Sequence, residues 1–277
     1  MHSEEIADIP AYVICLNSKR KERCDKNFPL IKNIFPKAEW VNAVDGTTLD
    51  YLNDRRFSIL SKYNVKNNLK MGYSFMNHKN QLACALSHIS VWEKIKKSGV
   101  PGIVFEDDIV LDSDKKIRYI YSQIPKNVDF AAILYTDNAN TEKYNDNWYQ
   151  IKDKSFYGLM TYFITPNGAR HLLENAYPIN VHIDQGIGYL ANINPKFKAI
   201  CYKNKYSPSI AELFFNSTLN HQLNIKSELP ENNSFYVIIL IAVIVIVIVI
   251  ILWIIYINRN RKTCNIKLKK CKLKKCK

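Results

Sequence analysis

Val100-Pro101-Gly102-Ile103-Val104-Phe105-Glu106-Asp107-Asp108 carries an apolar run directly into three consecutive acids. Residues 100–105 have the length and β-branched content of a buried strand bounded by a turn signal. Three adjacent carboxylates at the end of such a strand repel one another and are partly desolvated, so they call for a cation or several donors. In open α/β sheets, ligands bind beyond the carboxyl ends of the strands. Hard divalent cations such as Mg²⁺ or Mn²⁺ prefer carboxylate oxygens and commonly bridge them to a diphosphate. The competing reading is a solvated acidic turn that caps the next helix.

Strand-like and helix-like patterns alternate on both sides of this stretch. Upstream, residues 79–97 form an amphipathic helix, with Leu82, Ala85, Leu86, Ile89, Trp92 and Ile95 at three- and four-residue steps and Ser98-Gly99 closing it. Residues 51–77 are polar and irregular and are expected to form a mobile loop with short helices. Residues 39–44 read as a strand ending at the turn signal Asp45-Gly46. Residues 11–16 read as a buried strand, followed by a basic turn, 17–23, and a helical stretch. Downstream, a helix is expected over 115–124 and strands over 129–134 and 157–165. Pro166 opens a helix that runs through Ala176, a short helix covers 184–191, and a late strand covers 197–202. This βαβα order predicts one α/β domain over residues 11–202 with a mostly parallel sheet. A short acidic tail, 1–10, precedes it, and an Asn/Ser/Lys-rich linker, 203–234, follows.

Residues 235–257 contain no charged side chain and are almost wholly Ile, Val and Leu. As a helix they reach roughly 34 Å, enough to cross a hydrocarbon core of about 30 Å with modest tilt. Phe235 and Tyr236 at one end, and Trp253 and Tyr256 at the other, sit where interfacial aromatics belong. A buried strand is the competing reading, but strands are usually less than half this length. Residues 258–277 form a basic tail with ten Lys or Arg and no acid, which leaves 29 basic against 25 acidic side chains in the rest of the chain. The net charge of +14 therefore belongs mainly to the tail. Its expected partner is the anionic membrane surface, and nucleic acid binding is not expected of the domain.

The seven cysteines, at positions 15, 24, 84, 201, 264, 271 and 276, show neither CxxC spacing nor a disulfide framework. Cys15 and Cys84 read as small core residues, and the three in the tail are candidates for palmitoylation. Asn216-Ser217-Thr218 and Asn232-Asn233-Ser234 match glycosylation sequons. The positive-inside rule puts the basic tail in the cytosol and the domain across the membrane. Residues 1–10 have no apolar core of a signal peptide. A tail-anchored, single-pass arrangement with the N-terminal domain facing the cytosol fits better, and occupancy of the Asn216 sequon would place it in the lumen.

Other candidate functional residues gain meaning in combination. Asn17-Ser18-Lys19-Arg20-Lys21-Glu22-Arg23 follows the first strand and offers amide and guanidinium donors for phosphate, or simply a basic helix start. No Gly-rich P-loop or GxGxxG is present. Ser87-His88 lies mid-helix, away from the apolar stripe, where a His is more often structural than catalytic. Asp184 opens a short helix and serves either as its cap or as a functional carboxylate.

In order, these segments resemble glycosyltransferase family 25, which includes bacterial lipooligosaccharide and animal procollagen galactosyltransferases. The matching blocks begin with Ala11-Tyr12-Val13-Ile14-Cys15-Leu16-Asn17 with Arg20 and Arg23, and Asn42-Ala43-Val44-Asp45-Gly46. Cys84-Ala85-Leu86-Ser87-His88 through Trp92 and Ile103-Val104-Phe105-Glu106-Asp107-Asp108 follow. The last are Tyr157 to Leu173, ending Pro166-Asn167-Gly168-Ala169-Arg170-His171-Leu172-Leu173, and Ile183-Asp184-Gln185.

The resemblance implies a GT-A-like, nucleotide-sugar-binding α/β domain with a divalent metal, Mn²⁺ or Mg²⁺, and a UDP-sugar donor. It implies that Glu106 and Asp108 hold the metal with Asp107 between them, and that Asn17, Arg20 and Arg23 lie near the nucleotide. Ser87 and His88 would line the site, and Asp184 would be the general base of an inverting transfer of galactose or glucose to a glycan, lipid or protein. Asn80-Gln81-Leu82-Ala83-Cys84 departs from the Gly-Glu-x-Gly-Cys run of many relatives. The lost carboxylate at Gln81 supports an alternative, a catalytically inactive membrane-bound binding or scaffold protein of the same fold.

Overall fold

The computed structural model describes residues 8–69, 75–109, 114–135, 137–138, 142–152 and 156–203. The expected span at 235–257, the basic tail at 258–277 and all but the first residue of the 203–234 linker lie outside these residues. No helix among the described residues is long and apolar enough to cross a membrane.

In chain order the elements are β1 (Ala11–Cys15), α1 (Asn17–Ile34), β2 (Ala38–Asn42), α2 (Ile59–Asn67), α3 (Lys79–Ser98), β3 (Gly102–Glu106), α4 (Asp114–Ser122), β4 (Phe130–Leu134), β5 (Asp137–Asn138), β6 (Trp148–Gln150), β7 (Phe156–Tyr157), β8 (Thr161–Ile164), α5 (Pro166–Glu174), α6 (Ile183–Ile193) and β9 (Ala199–Tyr202). Seven strands form one sheet in the order β2-β1-β3-β8-β4-β9-β6, and β5 pairs with β7 in a separate ribbon.

The strands are apolar on both faces because the sheet is covered on both. Along β1, Tyr12 and Ile14 enter one core with Leu82, Leu86, Ile89 and Trp92 of α3 and Ala169 and Leu172 of α5. Ala11, Val13 and Cys15 enter the other with Cys24, Ile31 and Ile34 of α1 and Ile120 and Tyr121 of α4. This is the two-residue period of a pleated strand read out on two helical layers.

The expectation of a mostly parallel sheet is corrected to a mixed one. β1 is parallel to β2 and β3, and β4 is parallel to β9, whereas β8 is antiparallel to both β3 and β4, and β6 to β9. The chain passes from β4 to β8 through β5, β6 and β7, with no crossover helix of the kind parallel neighbours require among the described residues between them. The strand expected over 157–165 divides at Gly158, whose φ of +67° breaks it into β7 and β8. The basic turn expected over 17–23 is already helical, kinked at Arg20 with φ −134° and ψ 23°.

Two close approaches fix the helical layer over the α3 face. Asp129 Oδ1 accepts from Asn167 Nδ2 at 2.7 Å, and its backbone oxygen accepts from Thr165 N at 2.9 Å. A Cβ at Gly168 would lie 2.3 Å from that same oxygen. At Gly186, in α6, a Cβ would meet nothing nearer than Val181 Cγ2 at 3.7 Å. Gly168→Ala is therefore expected to destabilise the domain by about 1–3 kcal/mol through backbone overlap. Gly186→Ala is expected to stabilise it by about 0.5–1 kcal/mol through helix propensity. Urea unfolding of the two variants beside the parent checks both signs.

Candidate active site

Strand alternation divides the three acids. Val104 faces the α3 layer and Phe105 the α1 layer, so Glu106 turns toward α3 and Asp107 toward α1. Asp107, 5% exposed, accepts from Arg20 Nη1 at 3.0 Å and lies 3.5 Å from Leu16 N and 3.9 Å from the Cys24 thiol. Asn27 Nδ2 donates to the backbone oxygens of Asp107 and Ile109, both at 3.0 Å, and so holds the turn after β3. The middle acid is thus an anchor to β1 and α1.

Among the described residues, neither Glu106 nor Asp108 has such an Arg or Lys partner. Burial, reinforced by the charges of Asp107 and Asp184, pushes the Glu106 carboxyl up to about 8. Burial and the charges of Glu106 and Asp107 push Asp108 up to about 7, although Arg20 and Arg23 oppose the shift. Asp108 Oδ1 is buried and has no hydrogen-bond partner among the described residues; the same holds for Arg23 Nη1. An orphan acceptor and an orphan donor on neighbouring elements, close enough for Arg23 to act on the Asp108 charge, suit a ligand carrying both a cation and an anion.

His88 and Ser87 are not off the buried face, as their spacing suggested, but 1% and 2% exposed. Ser87 Oγ accepts from Val44 N at 2.9 Å and donates to Ala83 O at 2.8 Å, tying the loop after β2 to α3. His88 Nδ1 lies 3.0 Å from the Tyr162 hydroxyl and Nε2 lies 3.1 Å from Glu106 Oε1. Trp92 Nε1 donates to the same hydroxyl at 2.9 Å. Every group is satisfied if Tyr162 O–H donates to Nδ1 and Nε2–H donates to the Glu106 carboxylate; this tautomer is assigned from the network. Burial pushes His88 down to about 4, so the ring is a neutral, oriented donor at physiological pH. Trp92 and Tyr162 read as plain core in the sequence. The signal for their role is the four-residue step from His88 to Trp92 and the register of β8.

Asp184 belongs to the same neighbourhood, since its charge acts on Glu106, His88 and Cys84. It is the first-turn acid of α6, not its cap, which is His182. Its Oδ2 accepts from Gly158 N at 2.7 Å and its Oδ1 from Gln185 N at 2.8 Å. The left-handed Gly158 that divides β7 from β8 thereby aims Asp184. Arg20 and Arg23 lie on α1 beside the cluster, while Asn17 is exposed at the start of that helix. Cys84, read from the sequence as a core residue, has its sulfur within 4.8 Å of ligand atoms of His88 and Glu106.

Gln81 occupies the start of α3. Its Oε1 accepts from Asn77 N at 2.8 Å and His78 N at 3.1 Å, while His78 Nδ1 accepts from Asn80 N at 3.1 Å. This is a capping box, in which Gln and Glu serve alike. The loss of a carboxylate here has a structural account and gives no ground for lost catalysis.

A carboxyl whose folded pKa is raised stabilises the fold fully below its unfolded pKa, and that contribution is lost as pH rises through the folded value. Both outer acids act in this direction. With a chelator present, the melting temperature is expected to fall as pH rises from about 5 to about 8, and Glu106→Gln is expected to flatten the fall. Thermal melts across that range check the slope; an unchanged slope in the variant would refute the assignment to Glu106.

No curated protein matches the chain. Among solved structures it resembles a UDP-glucose pyrophosphorylase complexed with UDP-glucose, with 13% identity and a TM-score of 0.40, over 74% of this chain and 97% of that one. It also resembles mouse xyloside xylosyltransferase 1 in its apo form, with 8% identity and a TM-score of 0.31, over 68% of this chain and 69% of that one. Residues 8–187 match the model of glycosyltransferase family 25, described as an LPS biosynthesis protein. That match takes in β1 through the first turns of α6, with every acid and base of the recess inside it. The chain belongs to glycosyltransferase family 25 and is a glycosyltransferase.

Proposed function

We propose that this glycosyltransferase is a membrane-anchored, metal-dependent, inverting enzyme with a GT-A-like domain that moves galactose or glucose from a UDP-sugar to a glycan, lipid or protein acceptor. The observation that carries the reading is a pair of buried atoms with no partner among the described residues, Asp108 Oδ1 just after the end of β3, which also presents Glu106, and Arg23 Nη1 on α1.

The donor set fits a hard divalent cation. Glu106 and Asp108 supply oxygen ligands at a place where their own charges are disfavoured, so a cation there would relieve the strain that raises both pKa values. When bound, Mn²⁺ or Mg²⁺ would supply Lewis-acid neutralisation of the charge that develops on a leaving diphosphate. Arg23 would donate to the same phosphates from α1, and Arg20, fixed on Asp107, contributes positive potential beside them. His88 holds the Glu106 carboxylate through Nε2. Asp184 would take the proton of the attacking acceptor hydroxyl; the backbone donors on its two oxygens set its direction and leave lone pairs for that proton. Attack from the side opposite the diphosphate inverts the anomeric centre.

The full chain in detergent, offered a panel of UDP-sugars with Mn²⁺, is expected to transfer or hydrolyse one of them. Asp108→Asn is expected to lower the rate by about 10²–10³-fold or more. Asp184→Asn is expected to lower kcat by about 10²–10⁴-fold while UDP and Mn²⁺ still raise the melting temperature. A folded chain that turns over no UDP-sugar would overturn the proposal.

Anchoring through residues 235–257 is supported by 23 consecutive uncharged residues. We place the enzyme on the cytosolic side, with residues 258–277 on the far side of the span. Cys15, Cys24 and Cys84 are free of disulfides, as a reducing compartment would keep them. Expression in a glycosylation-competent cell should leave Asn216 unmodified and the domain open to added protease in sealed microsomes; a glycosidase-sensitive shift lost in Asn216→Gln would reverse the orientation.

A further inference from the structure

The recess holds a second set of ligand atoms, softer in character than the two outer acids. Cys84 and His88 stand four residues apart on α3, so both project from the same face of the helix, and Glu106 meets them from the end of β3. Cys84 Sγ, a ring nitrogen of His88 and a carboxylate oxygen of Glu106 all lie within 4.8 Å of one another. We propose that Cys84, His88 and Glu106 form a binding site for a thiophilic divalent cation of the Zn²⁺ class, which shares Glu106 with the hard-cation site and so opposes it.

Three features support the site. Thiolate, imidazole and carboxylate together select zinc over magnesium or manganese, and three protein ligands leave a fourth position open. The His88 ring is pinned on its other nitrogen by Tyr162 and, through it, Trp92, as ligating histidines usually are. Burial first, and then the charges of Glu106, Asp184 and Asp108, push the Cys84 thiol well above its ordinary range. The thiol is therefore silent until a cation displaces its proton.

The exchange balances without redox chemistry. The cation forms a bond to sulfur, and the thiol proton leaves to solvent. The His88 ring proton moves from Nε2 to Nδ1, the Tyr162 hydroxyl hydrogen rotates out of its bond to Nδ1, and the Tyr162 oxygen then accepts from both Nδ1 and Trp92 Nε1. Glu106, freed of the imidazole, supplies the third bond. Because the two sites share Glu106, Zn²⁺ is expected to inhibit Mn²⁺-dependent transfer; only this consequence rests on the proposed function.

The test uses the full chain in detergent with Cys264, Cys271 and Cys276 changed to Ser, so that the tail cannot bind metal. Co²⁺, as a spectroscopic substitute for Zn²⁺, is expected to give a thiolate-to-metal charge-transfer band, absent in Cys84→Ser and retained in Cys201→Ser. Zn²⁺, but not Mn²⁺, is expected to protect Cys84 from alkylation, read by peptide mass spectrometry on the unsubstituted site. In transfer assays with Mn²⁺, the Zn²⁺ concentration for half inhibition is expected to rise at least about tenfold in Cys84→Ser, equivalent to about 1.4 kcal/mol of binding. A folded chain with no thiolate band, or a band that survives in Cys84→Ser, overturns the site. Alkylation of Cys84 unaffected by Zn²⁺ does the same. The band and the protection need no donor or turnover, so a chain that shows both yet transfers no sugar keeps this site and loses the proposed function.

Discussion

The ion pair between Arg20 and Asp107 is the constraint on which the recess depends. It joins the first turns of α1 to the turn after β3, elements 87 residues apart in sequence, at 3.0 Å with side-chain exposures of 17% and 6%. An exposed pair would contribute little. Here, removing Arg20 would leave a buried carboxylate uncompensated, a loss on the order of 3–5 kcal/mol. The helix is kinked at the same residue, with φ −134° and ψ 23° at Arg20. Once the middle acid is neutralised from the α1 side, its neighbours are free to project elsewhere.

Where they project is decided by the pleat. Glu106, in register with Ile14 of β1 and following Val104 on the α3 face, arrives beside His88. Trp92 and Tyr162 then act as a chain of fixed dipoles behind the imidazole, all three side chains essentially buried. A neutral ring held on both nitrogens orients the carboxylate without neutralising it. Charge on Glu106 and Asp108 is thus disfavoured by the fold itself, where burial and the neighbouring acids push the two carboxyls up to about 8 and about 7.

Much of this was legible in the sequence. The apolar steps of α3, the Ser98-Gly99 stop, realised as a left-handed Gly99 with φ of +71°, and the run of β3 into three acids all follow from local periodicity. The direction of β8 was not legible, because an apolar strand between two covered layers looks the same parallel or antiparallel. Only the lack of a crossover helix among the described residues between β4 and β8 reveals it. The division of labour within Glu106-Asp107-Asp108 was hidden for a related reason. It requires knowing which helix covers which face, and that is set by packing over long sequence separations. Ser87 and His88 appeared to stand outside the apolar stripe because polar side chains do not announce burial; their partners, Val44 and Tyr162, are 43 and 74 residues away.

The start of α3 bears on how much of the motif is chemistry and how much is scaffold. Gly46 admits Asn80 so closely that a Cβ there would lie 2.6 Å from the Asn80 side chain and 2.9 Å from its backbone. The Asx turn around Asp45, with Thr47 N at 2.8 Å from its Oδ1, presents Gly46 to that contact. Ser87 ties the same loop to the helix two turns later, and Gln81 caps the helix from inside. Together these contacts fix the rotation of α3 about its axis, which decides whether His88 meets Glu106 or slides past it. An amide at position 81 preserves that rotation as well as a carboxylate would, because both accept the same two backbone N–H groups. Position 81, where the resemblance implied a lost carboxylate, therefore serves the positioning of the helix, apart from the acids and bases gathered at the end of β3.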